Sequence, residues 1–380
     1  MAESPPPRPA GLHPVVGHEA LQERLVRAVR TGRLPGSLLL HGPTGIGKQR
    51  LALWLGQLLL CDEEAACGEC RSCRLSLHLE HPDLHWFFPL PRPKGASGPE
   101  KLREKLEEAR FEELAERRSL SLTVRDFDSA TGIYLAAVQE IKARASRRPA
   151  MGRRTVFVVG DAEAMVPQAA SPEAANAFLK LLEEPPADTH LLLTSSRPGA
   201  LLPTIRSRTL GLRVAPVSIG AVERLLVEHA GVDAEKAAAA ARQSQGAPGR
   251  ALRVLSDESR AIRDRAAALI RAGLSSDRAD RWAFAATLSP RGARGEFDDV
   301  LAAATEILRD LLARSLGLPE LGFEPETAAS LDGGSPPPAH ALLRALALVE
   351  EAREEAARNL NPQAITAGLL SQLGGALHSA

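Results

Sequence analysis

Three groups of residues in this chain could do chemistry. The first is Gly42-Pro43-Thr44-Gly45-Ile46-Gly47-Lys48. Glycines at this spacing let backbone N–H groups turn inward, the start of a helix adds a positive dipole end, and Lys48 supplies a mobile cation. Together they make a phosphate cradle. The residue after the lysine normally offers a hydroxyl to Mg²⁺; here it is Gln49, whose amide oxygen could ligate a metal only on a longer arm. The second group is Gly160-Asp161-Ala162-Glu163, directly after the apolar run Thr155 to Val159. Phosphate-cleaving proteins of this kind end that strand in two acids, one holding Mg²⁺ and one orienting the attacking water. Gly160 stands at the metal-holding position, and Asp161 stands at the second, one methylene shorter than glutamate. Both departures fall on the same ion. Nucleotide could still be held by the loop and Lys48, whereas efficient hydrolysis with Mg²⁺ is not expected.

The third group is Cys61, Cys67, Cys70 and Cys73. Tetrahedral Zn²⁺ takes four thiolates at about 2.3 Å, and Cys-x-x-Cys turns bring sulfurs to that separation. The spacing predicts a structural zinc with no position left for water; four buried free thiols are the alternative. His78, His81 and His85 follow closely and could replace a cysteine, but read as ordinary surface or turn residues.

These groups need elements to position them. Ser37 to Leu40 reads as a buried strand, and the residues after Lys48 as a helix with Leu51, Trp54, Leu55, Leu58 and Leu59 on one face. Before them, Val15 to Arg33 carries a helical stripe closed by Gly32 and Pro35. Leu84 to Phe88 is a plausible second strand, Thr155 to Val159 a third and His190 to Thr194 a fourth. The fourth ends at Ser195-Ser196, where Ser195 could sense a phosphate or simply satisfy a strand end. Ser171-Pro172-Glu173 opens a capped helix that Glu183-Glu184-Pro185-Pro186 stops. Arg206 and Arg208 precede a strand-like stretch, Leu210 to Val214, and are ambiguous by themselves. Between residues 89 and 125 a Pro/Gly/Ser stretch leads into KLREKLEEARFEELAERR, which reads as a solvated inserted helix rather than a partner-binding arm. Arg144, Arg147, Arg148, Arg153 and Arg154 read as a solvated basic loop, with contact to a DNA backbone as the alternative. Beyond Pro216 the chain turns helical to its end.

Composition narrows the class. With 380 residues the chain can hold two or three domains, and 47 basic against 47 acidic residues argue against a surface coated for nucleic acid. No apolar run reaches the ~20 residues that cross a bilayer, so no membrane partner is expected. The proline-rich residues 1–14 lack an apolar core and read as a floppy tail, not a secretion signal. All four cysteines fall between 61 and 73, leaving none to staple distant parts, which points to the reducing cytoplasm.

Taken together the motifs resemble the delta-prime family of bacterial DNA polymerase III clamp-loader subunits, relatives of tau/gamma. The matching residues are Val16-Gly17-His18-Glu19, Gly42 to Lys48, the four cysteines and His81-Pro82-Asp83. They continue with Ala174 to Pro186, Leu202 to Arg208, and Asn359-Leu360-Asn361-Pro362. The resemblance covers the first two thirds strongly and the last third weakly; the cysteine module inside a P-loop domain is its most specific part. It implies an α/β fold: a P-loop AAA+ parallel sheet with an inserted zinc module over 15–214, a small helical lid over 215–256, and an all-α collar over 257–380. It implies that Val16, Gly17, Gly42, Gly45, Gly47, Lys48 and Gln49 would line any bound ATP. Arg208 would take the place of the family's arginine finger, which reaches a neighbour's ATP site, with Thr209 where the family has cysteine. The second sensor arginine would fall near Gly249-Arg250, where the best alignment puts glycine at that position and Arg250 beside it.

The implied partners are tau/gamma and delta subunits in a hetero-pentamer, and through it a sliding clamp and primed DNA in replication. The chain would then be a structural and regulatory part of a DNA-directed DNA polymerase III holoenzyme. Two other readings compete: a self-sufficient tau/gamma-type ATPase, and a zinc-dependent nucleic-acid binder, against which zero net charge and few aromatics weigh.

Overall fold

The structure is a computed structural model that describes residues 11–96, 98–119, 122, 127, 131–165, 173–287, 294–319, 322, 325–357 and 361–378. Tail residues 1–10, the Ser171-Pro172 cap, Asn359-Leu360 and parts of 89–125 lie outside them. The chain divides into two compact units, residues 1–125 with 131–252, and residues 126–130 with 253–380.

The first unit is built on strands with Leu- and Val-rich middles and polar residues mostly towards their ends. The runs 38–40, 156–159 and 191–193 are buried throughout, the pattern of a sheet covered on both faces. Its elements run α1 (Glu19–Arg30), β1 (Ser37–His41), α2 (Lys48–Leu60), α3 (Arg71–Leu77), β2 (Leu84–Phe87), β3 (Leu90–Pro91) and α4 (Pro99–Ser119). They continue with β4 (Thr131–Gly132), α5 (Leu135–Ala145), β5 (Thr155–Val159), α6 (Glu173–Glu183), β6 (Thr189–Ser195), α7 (Pro203–Ser207) and β7 (Leu210–Arg213). Three helices follow, α8 (Ile219–Ala230), α9 (Ala234–Ser244) and α10 (Pro248–Val254). Five strands form one parallel sheet in the order β2-β5-β6-β1-β7. This is the expected P-loop α/β architecture. Because every strand runs the same way, the carboxyl ends of β1, β5 and β6 lie at the same end of the sheet, beside the chain-order reversal at β1.

Alternation along the strands splits the core in two. Leu39, Phe157, Val159, Leu191 and Leu193 join Val138 and Ile141 of α5 and Phe178 and Leu182 of α6 in one apolar cluster. The other face takes α2, whose Gly56 lies so close that a Cβ there would sit 2.7 Å from Leu84 Cδ1 and 3.4 Å from Val156 Cγ1. The expected one-sided stripe of α2 is wider than that: ten of its residues are buried, Lys48 and Gln57 included.

Two expectations change. The 89–125 insert does form a helix, α4, but only one face of it is solvated. Leu106, Arg110, Glu113 and Leu114 are buried, and Arg117 stacks over Phe88 with its guanidinium carbon 3.9 Å from the ring centre. Arg110 lies 4.6 Å over Phe87 and bridges to Glu107 at 2.7 Å. A planar guanidinium on an apolar stem can face a ring and keep its charge paired, so an arginine serves as a core-facing residue here. The histidines change too. His81 is buried, with Nδ1 accepting the Asp83 N–H at 3.1 Å, and His85 packs on Phe157 at 5.0 Å between ring centres. Burial, with Arg144 and Arg110 nearby, takes the His85 imidazole down to about 3, so it stays neutral.

Asp83, in the same His-Pro-Asp stretch, accepts backbone N–H groups from Ala150, Met151 and Gly152 at 2.5, 2.8 and 2.7 Å. It ties the loop ahead of β5 to the start of β2. Of the basic cluster, Arg144 pairs with Glu107 and Glu140, and Arg154 with Glu64.

The second unit carries α11 (Asp257–Leu274), α12 (Arg278–Thr287), α13 (Arg294–Ser315), α14 (Pro325–Asp332), α15 (Ala339–Ala357) and α16 (Pro362–His378). Its core is Leu269, Ile270, Leu301, Leu308, Leu311, Leu342, Val349, Leu370 and Leu373, drawn from four of these helices. No described helix is long and apolar enough to cross a membrane.

Candidate functional site: a P-loop without a metal grip

The loop between β1 and α2 has the backbone of a phosphate cradle. Gly45 and Gly47 hold φ at 81° and 89°, values that glycine alone takes without strain. Gly42 is required sterically: a Cβ there would lie 2.3 Å from the Val214 carbonyl oxygen. Lys48 opens α2 and is buried. Its Nζ donates to the Pro43 carbonyl and the Ser196 hydroxyl, both at 2.8 Å. Burial lowers the Lys48 pKa, while Asp161 and Glu163 work to raise it. Both of its partners are neutral, so an anion entering the loop could replace them.

The chain ahead of α1 lines the same region. Gly17 has φ of 78°, and its missing Cβ would sit 2.6 Å from Val217 Cβ, so Val16-Gly17 lies against the start of the α8 segment. His18 Nε2 sits 3.1 Å from the Ile46 carbonyl oxygen. On the loop's other side, the Gly249 N–H donates to the Gly45 carbonyl at 2.8 Å. A Cβ on Gly249 would stand 3.0 Å from Gly45 Cα. Glycine at the expected sensor position is therefore a matter of close approach, and Arg250 follows it in the first turn of α10.

At the acidic position, Gln49 and Gly160 meet. Gln49 Nε2 donates to Asp161 Oδ2 at 2.8 Å. A Cβ on Gly160 would lie 2.6 Å from Gln49 Oε1 and 2.7 Å from its Cδ. Burial raises the Asp161 carboxyl above the ordinary aspartate range, Glu163 adds to this, and Lys48 opposes it. The Asp161 N–H donates to Thr194 Oγ1 at 3.0 Å. Mg²⁺ does not fit this donor set: no hydroxyl follows Lys48, no carboxylate occupies position 160, and the Gln49 amide fills the space between the two positions.

Ser195 and Ser196 divide their tasks. Ser195 is buried and its Oγ accepts the Arg197 N–H at 3.1 Å, whereas Ser196 reaches Lys48. Glu163 Oε1 accepts the N–H groups of Ser196 and Arg197 at 3.0 and 3.2 Å. Glu163 belongs to the acidic group after β5 but has no role assigned to it by the sequence, and Thr194 carries no motif of its own. The one available signal for Ser196 was its place as the first residue past a strand end.

Arg208 lies away from this loop, at the end of α7. Its Nη2 is 2.8 Å from Glu183 Oε1, and its Nη1 donates to the Thr204 carbonyl at 3.1 Å. Glu183 closes α6, so two helix ends hold the guanidinium at the surface. The next residues form β7, which pairs with β1 on one side, and Leu210 beside Arg208 is exposed.

The four cysteines converge at the far end of α2. Their sulfurs all lie within 4.8 Å of one another, with Cys61–Cys67 at 3.7 Å and Cys67–Cys73 at 3.9 Å. A tetrahedron of Zn–S bonds at ~2.3 Å needs sulfurs about 3.8 Å apart, so the set fits zinc. Backbone N–H groups of Cys70 and Cys73 point at the sulfurs of Cys67 and Cys70, at 3.4 and 3.3 Å. Gly68 turns the chain with φ of 80°. Burial works to raise the Cys61 thiol, but backbone hydrogen bonds from Ala65, Cys67 and Glu63 take it down to about 6. Burial pushes Cys73 up.

Comparison with known proteins bears on these features. Over 173 residues the chain is 38% identical to the DNA polymerase III subunit delta' of Pseudomonas aeruginosa, covering 45% of this chain and 40% of that protein. It is 29% identical over 233 residues to the Escherichia coli K12 DNA polymerase III subunit delta', covering 60% and 57%. It is 31% identical over 205 residues to the DNA polymerase III subunit gamma/tau of Mycobacterium tuberculosis, covering 53% and 28%. The chain thus spans about half the length of the delta' relatives it matches. The family described as "DNA polymerase III, delta subunit" matches residues 17–218, more than half of the chain, and the chain belongs to that family.

Proposed function

We propose that this chain is the delta' subunit of a clamp-loader complex, working beside tau/gamma and delta subunits in a hetero-pentamer that places a sliding clamp on primed DNA. Its own part is structural and regulatory. It turns over little ATP itself and offers Arg208 to the ATP site of an adjacent subunit. The observation that carries this reading is the contrast between two places. At its own loop Gln49 takes the room a metal-holding carboxylate would need, while at the surface Arg208 is held outward by Glu183. An arginine supplied across an interface stabilises a transferring phosphoryl group. The 15–214 region acts as the AAA+ core, 215–256 as its lid and 257–380 as the collar that joins the ring. Zinc, held by Cys61, Cys67, Cys70 and Cys73, keeps the knuckle folded.

The intact glycine loop with Lys48 favours the second reading, a self-sufficient ATPase of the tau/gamma type. Steady-state ATP turnover by the isolated chain separates the two. Turnover at the level of the reconstituted complex would replace the first reading with the second.

A further inference from the structure

Sequence alone gives two independent departures at the metal position; the structure makes them one. Gly160 is not a glycine for backbone reasons, since it lies outside the left-handed region. What excludes a side chain there is the Gln49 carboxamide, with Oε1, Cδ and Nε2 at 2.6, 2.7 and 3.0 Å from an ideal Cβ. The same carboxamide donates to Asp161 Oδ2. Its orientation follows from that bond, because the opposite flip would set an amide oxygen against a carboxylate oxygen. The amide N–H thus does what the cation does elsewhere: it meets the carboxylate with positive charge density.

We propose that Gln49 and Gly160 form a single metal-excluding device, in which the Gln49 carboxamide stands in for the divalent cation and leaves the loop a site whose anion binding gains nothing from Mg²⁺. An anion entering the loop is met by Lys48 and backbone N–H groups alone. The inference deepens the proposed function but concerns this chain's own loop, so its test needs no partner subunit. It also opposes the alternative that the Gln49 oxygen, buried without a partner, serves as a metal ligand.

The test uses the full chain in two measurements. In the first, thermal midpoints are compared for wild type, Gly160→Ala, Gln49→Ala and the double variant. Gly160→Ala is expected to lower Tm by about 2–4 °C where Gln49 is present, by displacing its hydrogen bond to Asp161, and by less than about 1 °C where residue 49 is alanine. Equal shifts in both backgrounds would overturn the coupling. In the second, ADP is titrated calorimetrically with excess Mg²⁺ and again with EDTA. For wild type the two affinities are expected to agree within roughly fivefold, or both to lie below detection; the double variant Gln49→Thr/Gly160→Asp is expected to gain at least about tenfold from Mg²⁺. A larger Mg²⁺ gain in wild type would overturn the proposal, and so would a double variant no more responsive to Mg²⁺ than wild type. Because neither readout involves the complex, failure of the trans role of Arg208 leaves this result standing, and the reverse holds equally.

Discussion

Replacing Arg208 by alanine is expected to leave the fold intact and to slow ATP turnover in the reconstituted complex. The stability cost can be bounded from its contacts. The Arg208–Glu183 pair is 2.8 Å long, between side chains 35% and 44% exposed. At such exposure an ion pair contributes about 0–1 kcal/mol. The bond to the Thr204 carbonyl adds roughly another 1 kcal/mol. Loss of both lowers Tm by no more than about 4–8 °C. The kinetic cost is of another order, because an arginine supplied in trans is worth about 10³–10⁵ in the rate of phosphoryl transfer at the site it serves. The assay is pre-steady-state ATP turnover of the complex with clamp and primed DNA, alongside Tm and size-exclusion profiles of the same samples. Arg208→Ala is expected to remove one kinetic phase. Glu183→Gln, which frees the guanidinium without removing it, is expected to keep that phase. An unchanged phase in an Arg208→Ala complex that assembles normally would refute the reasoning.

Three further outcomes are expected. The purified chain is expected to carry one zinc per molecule, and Cys67→Ser/Cys70→Ser to lose both the metal and several degrees of Tm; elemental analysis without zinc would remove the metal from the knuckle. Burial works to raise the Asp83 pKa, but the N–H groups of Gly152, Ala150 and Met151 hold it below the ordinary aspartate value. Its folded pKa lies below its unfolded one, so its contribution is present above about pH 4 and is lost as pH falls through the folded value. Asp83→Asn is expected to lower stability at neutral pH and to flatten its fall in acid, and parallel acid-denaturation curves would contradict this. Arg110→Ala removes a buried guanidinium that stacks on Phe87 and donates to the Trp86 carbonyl at 3.3 Å. It leaves Glu107 with one fewer partner. A loss of about 2–4 kcal/mol in urea unfolding is expected, against under 1 kcal/mol for a solvated residue.

How much of this was legible depends on how local each feature is. The loop from Gly42 to Lys48 announces itself because its glycines, its lysine and the following helix are contiguous. The cysteine knuckle is readable for the same reason, within thirteen positions. The buried face of the insert is hidden in the sequence because charged residues dominate its helix, and Arg110 and Glu113 look solvent-facing by type. Only the rings of Phe87 on β2 and Phe88 just after it reveal why they are not. Gln49 and Gly160 could each be flagged as a departure, but their mutual dependence needed the packing of α2 against β5. Strands β3 and β4, two residues each and containing Pro91 and Gly132, carry no alternation to detect. Glu183 could be placed at a helix end, yet nothing in the chain tied it to Arg208.

One consequence of α2 reaches beyond catalysis. The same thirteen-residue helix bears Lys48 at its start and runs into Cys61 at its end, and it is buried along nearly its whole length. At 1.5 Å per residue the two lie about 20 Å apart on one rod. A segment so enclosed has no way to fray quietly at one tip, because unwinding its last turn would drag Leu58 and Leu60 out of the interior with it. The four cysteines at its far end and the lysine at its start are thereby joined through one enclosed rod, so a metal clasped at the first would brace the second.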